Sequence, residues 1–207
     1  MAFITFEGIE GCGKSTQVRR LAERLGSRAV ETREPGGTPI GCAVRQVLLD
    51  PANRRMAPTT ELLLYFADRA QHVAEVVRPA LAQGRIVLCD RYVETSLAYQ
   101  GYGRRLPLDA IRALATLATG GLRPDAIVLF DVPVEVGLAR ARRRGEQDRI
   151  EAELASFHER VRAGYAALLA EEPERWLRVD GCGPEDAVFE DLWRALAARG
   201  LVSGEAA

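Results

Sequence analysis

The sequence predicts an α/β fold in which a five-stranded parallel sheet is flanked by helices on both faces. Three observations predict it. Short β-rich runs at residues 2–7, 29–32, 86–89, 126–130 and 177–179 alternate with helix-length segments along the whole chain. Such alternation builds βαβ units with right-handed crossovers. The third and fourth runs are nearly all apolar, as strands covered on both faces are. The first run leads straight into Gly8-Ile9-Glu10-Gly11-Cys12-Gly13-Lys14-Ser15, in which Gly8 and Gly13 are separated by four residues and followed by Lys and Ser. That spacing is a P-loop, and its strand–loop–helix setting makes the fold a three-layer sandwich of P-loop type.

The glycines of this loop let a phosphate sit on bare backbone with several N–H groups turned inward. The helix from Thr16 to Leu25 adds the positive end of its dipole. Lys14 would reach the β- and γ-phosphates of a nucleotide, and the Ser15 hydroxyl would hold Mg²⁺. After the second strand, Arg33-Glu34-Pro35-Gly36-Gly37 cannot continue regular structure. Thr38 and Pro39 then read as N-cap and first turn of the next helix. Residues 50–58 form a polar loop bounded by prolines. A long helix is predicted from about Thr60, with Leu63, Phe66, Ala67, Ala70, Val73, Ala74 and Val77 as its buried face at helical spacing. Pro79 should kink or interrupt it, and Gln83-Gly84 should close it. Residues 94–99 read as helix broken by Gly101 and Gly103, and Pro107 opens another helix to about Ala118. Further helices are predicted over 134–144, 151–169 and 184–198. The whole chain, 1–207, reads as one domain with a short lid at about 141–150.

Composition narrows the class. The chain has 207 residues, 47% hydrophobic and 28% charged, with a net charge of −1. Nothing there argues for nucleic acid or a membrane surface as partner. No apolar run approaches the length of a membrane span, and the first strand leaves no room for a signal peptide. Cys12, Cys42, Cys89 and Cys182 are scattered without a CxxC pair. That pattern suits reduced thiols and a cytoplasmic location rather than a zinc site.

In open parallel sheets ligands bind beyond the carboxyl ends of the strands. The segments that fall there are the P-loop, residues 33–38, Asp90-Arg91, and Asp131 with the arginines beyond it. Arg33 and Arg91 follow strands and suit a second phosphate, since a guanidinium donates paired charge-assisted bonds. Arg69 could face the same ligand from its helix, although surface pairing explains it equally well. Asp90 could hold Mg²⁺ through water or position a nucleophile, or simply cap a helix. Glu10 lies beside bound phosphates and requires a partner. Tyr65 and Tyr99 are candidate stacking surfaces for a base. His72 and His158 lie away from any motif and read as structural or exposed. Arg140, Arg142, Arg143, Arg144 and Arg149 surround Gly145 as a lid over a triphosphate would.

Residues 6–16, 32–38 and 67–72, Asp90-Arg91-Tyr92 with 96–101, and 144–151 together make the chain resemble the bacterial thymidylate kinases, nucleoside monophosphate kinases of the P-loop class. The resemblance covers essentially the whole chain, and its Arg-Glu-Pro-Gly-Gly-Thr and Asp-Arg-Tyr segments are more specific than the P-loop. It implies transfer of the γ-phosphate of ATP to dTMP. Gly8, Ile9, Glu10, Gly11, Cys12, Gly13, Lys14, Ser15 and Thr16, with Arg140, would hold ATP, and Ser15 and Asp90 would hold Mg²⁺. Arg33 and Arg91 would bind the dTMP phosphate, and Arg69 would meet the thymine edge. Tyr65, where the family usually has Phe, would stack on the ring. Ser96, Tyr99 and Gln100 would bind dTMP, and Glu10 would lie near its 3′-hydroxyl. Lys14, Asp90 and Arg91 would serve catalysis. Some members carry an arginine directly after the acidic P-loop residue. Here that position is Gly11, so the resemblance places the catalytic arginine in the lid, Arg144 first and Arg149 second. An arginine introduced at Gly11 should then partly replace it. The resemblance also implies a homodimer and a cis Glu34–Pro35 bond. The alternatives are a kinase for another nucleoside monophosphate and, in another class, a GTPase switch. The latter needs a guanine-reading Asn-Lys-x-Asp run, which the chain lacks.

Overall fold

The computed structural model describes residues 1–143, 145 and 148–203. Five parallel strands form one sheet: β1 (Ala2–Glu7), β2 (Ala29–Arg33), β3 (Ile86–Asp90), β4 (Ala126–Asp131) and β5 (Trp176–Asp180), in the order β2-β3-β1-β4-β5. The central strand β1 is buried along its whole length, which accounts for its apolar run Phe3-Ile4 and Phe6. Its registers with β3 (Phe6 opposite Asp90) and β4 (Glu7 opposite Leu129) bring the P-loop, the Asp90 turn and the β4 turn to one edge.

Helices α1 (Lys14–Leu25), α2 (Pro39–Leu49), α3 (Pro58–His72), α4 (Arg78–Ala82), α5 (Val93–Ser96), α6 (Leu108–Thr119), α7 (Val134–Arg142), α8 (Ala155–Glu171) and α9 (Glu185–Ala198) cover the sheet. Thr38 caps α2 as expected, its side chain accepting the Gly41 N–H at 2.9 Å. Glu34–Pro35 is cis. The described chain contains no helix long and apolar enough to cross a membrane.

Three expectations are corrected. The predicted buried face of the long helix is only half right. Phe66, Val73 and Val77 are buried, but Leu63, Ala67, Ala70 and Ala74 are exposed. Glu61, Tyr65, Asp68, Arg69 and His72 are buried instead, because this face of α3 lines polar clusters rather than the apolar core. Near Pro79 the helix is interrupted, one of the two expected outcomes. The helix widens into a π turn, Val73–Val77, and resumes as α4, which accommodates the missing N–H and the bulk of the proline ring. Gly101 does not break the helix that starts at Val93, which ends only at Gly103. Both belong to a second π turn, Leu97–Gly103, where a Cβ on Gly103 would stand 2.7 Å from the Phe157 ring of α8 and one on Gly101 would run into Leu108 of α6. Their smallness lets α6 and α8 pack against the turn, α6 at Gly101 and α8 at Gly103. Finally, α8 starts at Ala155 rather than 151, because Asp148 Oδ1 accepts the N–H groups of Ile150 and Glu151, both at 2.8 Å, and closes a turn there.

Candidate active site

The P-loop takes its shape from left-handed backbone at Gly11 (φ 69°) and Gly13 (φ 95°). Gly13 is the N-cap of α1 and contributes no side-chain cap, so the N–H groups of the first turn stay open to an anion. Lys14 is buried, with Nζ 3.4 Å from the Gly8 carbonyl and 3.6 Å from Cys12 Sγ. The Ser15 hydroxyl donates to Asp90 Oδ2 at 2.5 Å, while the buried Asp90 Oδ1 has no partner. A hydroxyl and a carboxylate with an unused oxygen are hard donors that fit a divalent cation such as Mg²⁺.

Two cavities flank this loop and share Gly11. One, about 350 Å³, is lined by Gly11, Cys12, Gly13, Thr16, Arg140 and the 181–188 region. Arg140 is held there by the carbonyls of Gly181 at 2.7 Å and Cys182 at 3.2 Å. The other, about 170 Å³, is lined on its acceptor side by Glu10, Arg33, Arg45, Tyr65, Arg91 and Tyr99, and reaches Lys14, Ser15 and Asp90. A neighbouring space of about 400 Å³ shares Ser15, Arg33 and Asp90 with it.

Arg91 directly follows β3 in left-handed backbone, φ 76°. Such a conformation is uncommon for a side chain of this size and clusters at functional sites. It aims Nη2 at Glu10 Oε1, 2.9 Å away, and Nη1 at the Gly8 carbonyl, 3.3 Å away. The Tyr99 hydroxyl donates to Glu10 at 2.7 Å, and His158 Nδ1 stands 3.4 Å from Glu10 Oε2. Burial alone would raise the Glu10 carboxyl. Arg91, His158, Lys14 and Tyr99 outweigh it and hold the group down to about 2. Glu10 thus has the partners its position required. Burial and the neighbouring charges of Arg33 and Arg91 depress Arg45 below the usual arginine range. A cavity in which three guanidinium groups repel one another is built for an anion.

Behind this surface lie three buried acid clusters. Glu7 accepts the Tyr92 N–H at 2.9 Å, the Thr95 hydroxyl at 2.5 Å and the Tyr165 hydroxyl at 2.9 Å. Burial and the nearby Glu94 push its carboxyl up. Glu34 binds Arg69 Nε at 2.7 Å and His72 Nδ1 at 2.8 Å. Glu61 holds Arg104 at 3.1 Å, Arg149 at 2.6 Å and Gln100 Nε2 at 2.9 Å.

The structure therefore gathers Glu10, Gly11, Lys14, Ser15, Arg33, Tyr65, Asp90, Arg91 and Tyr99 around one cavity. It does not bring Arg69, Ser96 or Gln100 to that surface. Arg69 is 1% exposed and spends its guanidinium on Glu34, the Ser96 hydroxyl and the Tyr92 carbonyl. Gln100 is turned to Glu61. Arg149, expected in the lid, is 6% exposed and anchored to Glu61 and the Leu48 carbonyl, because a buried carboxylate on α3 draws it inward. Arg144 lies outside the described residues. An arginine at position 11 does not fit, since even a Cβ there would run into the Gly137 carbonyl on α7. His72 and His158 are both fully buried, so neither is exposed: His72 is structural, bonded to Glu34 and Thr32, while His158 lies beside Glu10 of the P-loop, which the sequence reading did not place there. Sequence reasoning missed Arg45, Glu34 and Glu61. Glu61, Tyr65, Arg69 and His72 recur at helical spacing, a polar stripe that would have revealed the buried face of α3.

A phosphate-binding loop on a parallel sheet, with one cavity on each side, defines a P-loop nucleotide-binding protein with places for two ligands. The family model described as thymidylate kinase matches residues 6–192. The chain is 56% identical over 188 residues to the thymidylate kinase of Geobacter sulfurreducens, covering 86% of this chain and 88% of that one. It is 51% identical over 201 residues to that of Deinococcus radiodurans, covering 96% and 97%. The crystal structure of thymidylate kinase from Ehrlichia chaffeensis matches with a TM-score of 0.77 at 32% identity, over 94% of this chain and 98% of that one. The chain belongs to the thymidylate kinase family.

Proposed function

We propose that the protein transfers the γ-phosphoryl group of ATP to dTMP, giving ADP and dTDP. The observation that carries this reading is the pair of cavities meeting at Gly11, one beside the P-loop and Arg140, the other walled by Tyr65 and the arginines Arg33, Arg45 and Arg91. The dTMP phosphate belongs among those arginines. A ring stacked on Tyr65 places the sugar toward Tyr99 and Glu10, whose ionised carboxylate accepts a hydroxyl proton. Arg69 stays a candidate for the thymine edge, since Nη1 and Nη2 each have one partner among the described residues and carry two N–H groups. Gln100, whose Oε1 is buried without a partner, and Ser96, which Arg69 holds, stay candidates for the same edge from behind the cavity wall.

An anionic oxygen of dTMP attacks the γ-phosphorus in line as the bond to the β-phosphate oxygen breaks. The acceptor carries its charge at neutral pH, so no general base is needed. Catalysis is then positioning and charge neutralisation. Lys14 and the N–H groups of the loop and α1 hold the β- and γ-phosphates, and Arg91 meets the oxygens of the acceptor. Mg²⁺, held by Ser15 and Asp90, would supply further neutralisation of phosphate charge. The 141–150 segment is the proposed lid of a single-domain enzyme, with Arg144 as its catalytic arginine.

A cytoplasmic homodimer completes the reading. Ile40 and Val47 of α2 and Leu63 of α3 are each about half exposed, beside the exposed alanines of α3. Apolar side chains left out on packed helices suit a self-complementary interface. Sedimentation should give twice the chain mass. Coupled ADP release with dTMP, against other nucleoside monophosphates and with GTP against ATP, tests the activity. Faster turnover of another monophosphate, or a preference for GTP, would overturn it.

A further inference from the structure

A separate cavity of about 370 Å³ opens at the other edge of the sheet, between α5, α6, the end of α8 and the first residues of β4 and β5. It shares no lining residue with either cavity beside the P-loop. Its body is apolar, built by Leu97, Ala115, Ile127, Leu168 and Trp176. The charged groups at its rim are paired: Arg112 with Glu171 at 2.8 Å, and Arg123 and Arg175 with Glu172 at 2.6 and 2.5 Å. One polar group is left over. Glu94 is 8% exposed, and its Oε2 is the buried side-chain atom of the described lining that has no hydrogen-bond partner.

An unpaired carboxyl oxygen in an apolar cavity costs free energy until a ligand meets it. Burial pushes this carboxyl up, toward the protonated form. A protonated carboxyl offers one donor and one acceptor side by side. The rim holds three arginines against Glu171 and Glu172, an excess of one positive charge, so nothing there attracts a cationic ligand. The volume falls in the range of small-molecule sites, which are mostly apolar with a few placed polar groups. We infer that this cavity binds a small planar nitrogen heterocycle whose adjacent N–H donor and ring acceptor pair with the Glu94 carboxyl. The flat body of such a ligand fills the space between Leu97, Leu168 and Trp176.

Binding of 2-aminopyrimidine to the full chain, followed by amide and indole NMR shifts, tests the assignment. The expected shifts fall on Glu94, Leu97, Leu168 and the Trp176 indole. Pyrimidine, which lacks the donor, should bind about tenfold more weakly, the cost of one unpaired buried oxygen. Glu94→Gln keeps a donor and an acceptor and should retain binding, whereas Glu94→Leu should lose it. Thr116→Trp narrows the mouth from an exposed helix position and should weaken binding in a protein with unchanged thermal stability. Shifts confined to the P-loop cavities, equal affinity for pyrimidine, or binding unchanged in Glu94→Leu would overturn the site. Preference for benzamidine that disappears in Glu94→Gln would make it an organic-cation site and overturn the assigned ligand class.

Discussion

Replacing Gly11 and Gly13 separately by alanine should separate two costs that the P-loop combines. Both glycines are left-handed, φ 69° and 95°. Each substitution therefore carries the strain of an L residue in that region, about 1–2 kcal/mol. Their surroundings differ. A Cβ on Gly13 has nothing within 4 Å, whereas one on Gly11 meets the Gly137 carbonyl oxygen and stands 3.1 Å from the Ala141 nitrogen. Backbone cannot rotate aside as a side chain can. The converse contact is as tight, because a Cβ on Gly137 would lie 2.5 Å from the Glu10 carbonyl. The loop and α7 thus pack main chain on main chain. Overpacking of this kind adds about 1–3 kcal/mol. Gly11→Ala should then cost about 2–5 kcal/mol, which for a domain of this size lowers Tm by roughly 4–20 °C. Gly13→Ala should cost about 1–2 kcal/mol, or roughly 2–8 °C. Thermal unfolding by circular dichroism at one protein concentration reads both. If Gly11→Ala is no less stable than Gly13→Ala, the close approach of loop and α7 is not a constraint. The same contact predicts that Gly11→Arg is a folding defect and restores no activity to a lid variant.

Lys14→Ala should nearly abolish phosphoryl transfer while the far-ultraviolet spectrum stays unchanged, since the amine neutralises charge on the transferring group; activity within a few-fold of the parent would refute its role. Arg149→Ala should act mainly on stability, costing up to about 3–5 kcal/mol as half of a buried pair with Glu61 is removed, while Arg144→Ala should lower kcat about 10³-fold at little cost in Tm; the reverse pattern in kinetics and melting would exchange their roles. Burial and the adjacent Glu34 push Asp68 up to about 6 from 3.8. Its folded form binds the proton more tightly than the unfolded chain, so the native state loses stability as pH rises from about 4 to about 6, by at most about 3 kcal/mol. Asp68→Asn should flatten that part of the urea-unfolding profile, and an unchanged slope would reject the assignment. dUMP, which lacks one methyl, should be a poorer substrate than dTMP by about 10–200-fold in kcat/KM; total rejection would mean that a polar contact decides.

The order of strands and helices was legible in the chain because the strands are short β-rich runs, two of them nearly all apolar, and most helices begin or end next to Pro or Gly. The P-loop was legible because its glycines, Lys14 and Ser15 act through backbone geometry and fixed spacing, which are local. So were Asp90 and Arg91, since they follow a strand whose carboxyl end must face the ligand edge. What escaped the sequence depends on residues far apart in the chain. Leu63 and Ala70 belong to an apolar stripe that the fold turns outward, while the polar stripe of Glu61, Asp68 and Arg69 is turned inward. Periodicity reports that two faces differ, but only packing decides which is covered. Arg149 reads as part of a basic lid until Glu61, distant in sequence, pairs with it in the interior. His158 looks unattached until α8 lays it beside Glu10. Gly11 offers room for a side chain in sequence, and only the approach of α7 removes it. Local chemistry is written into neighbouring residues, whereas burial and pairing are set by which surfaces the sheet brings together.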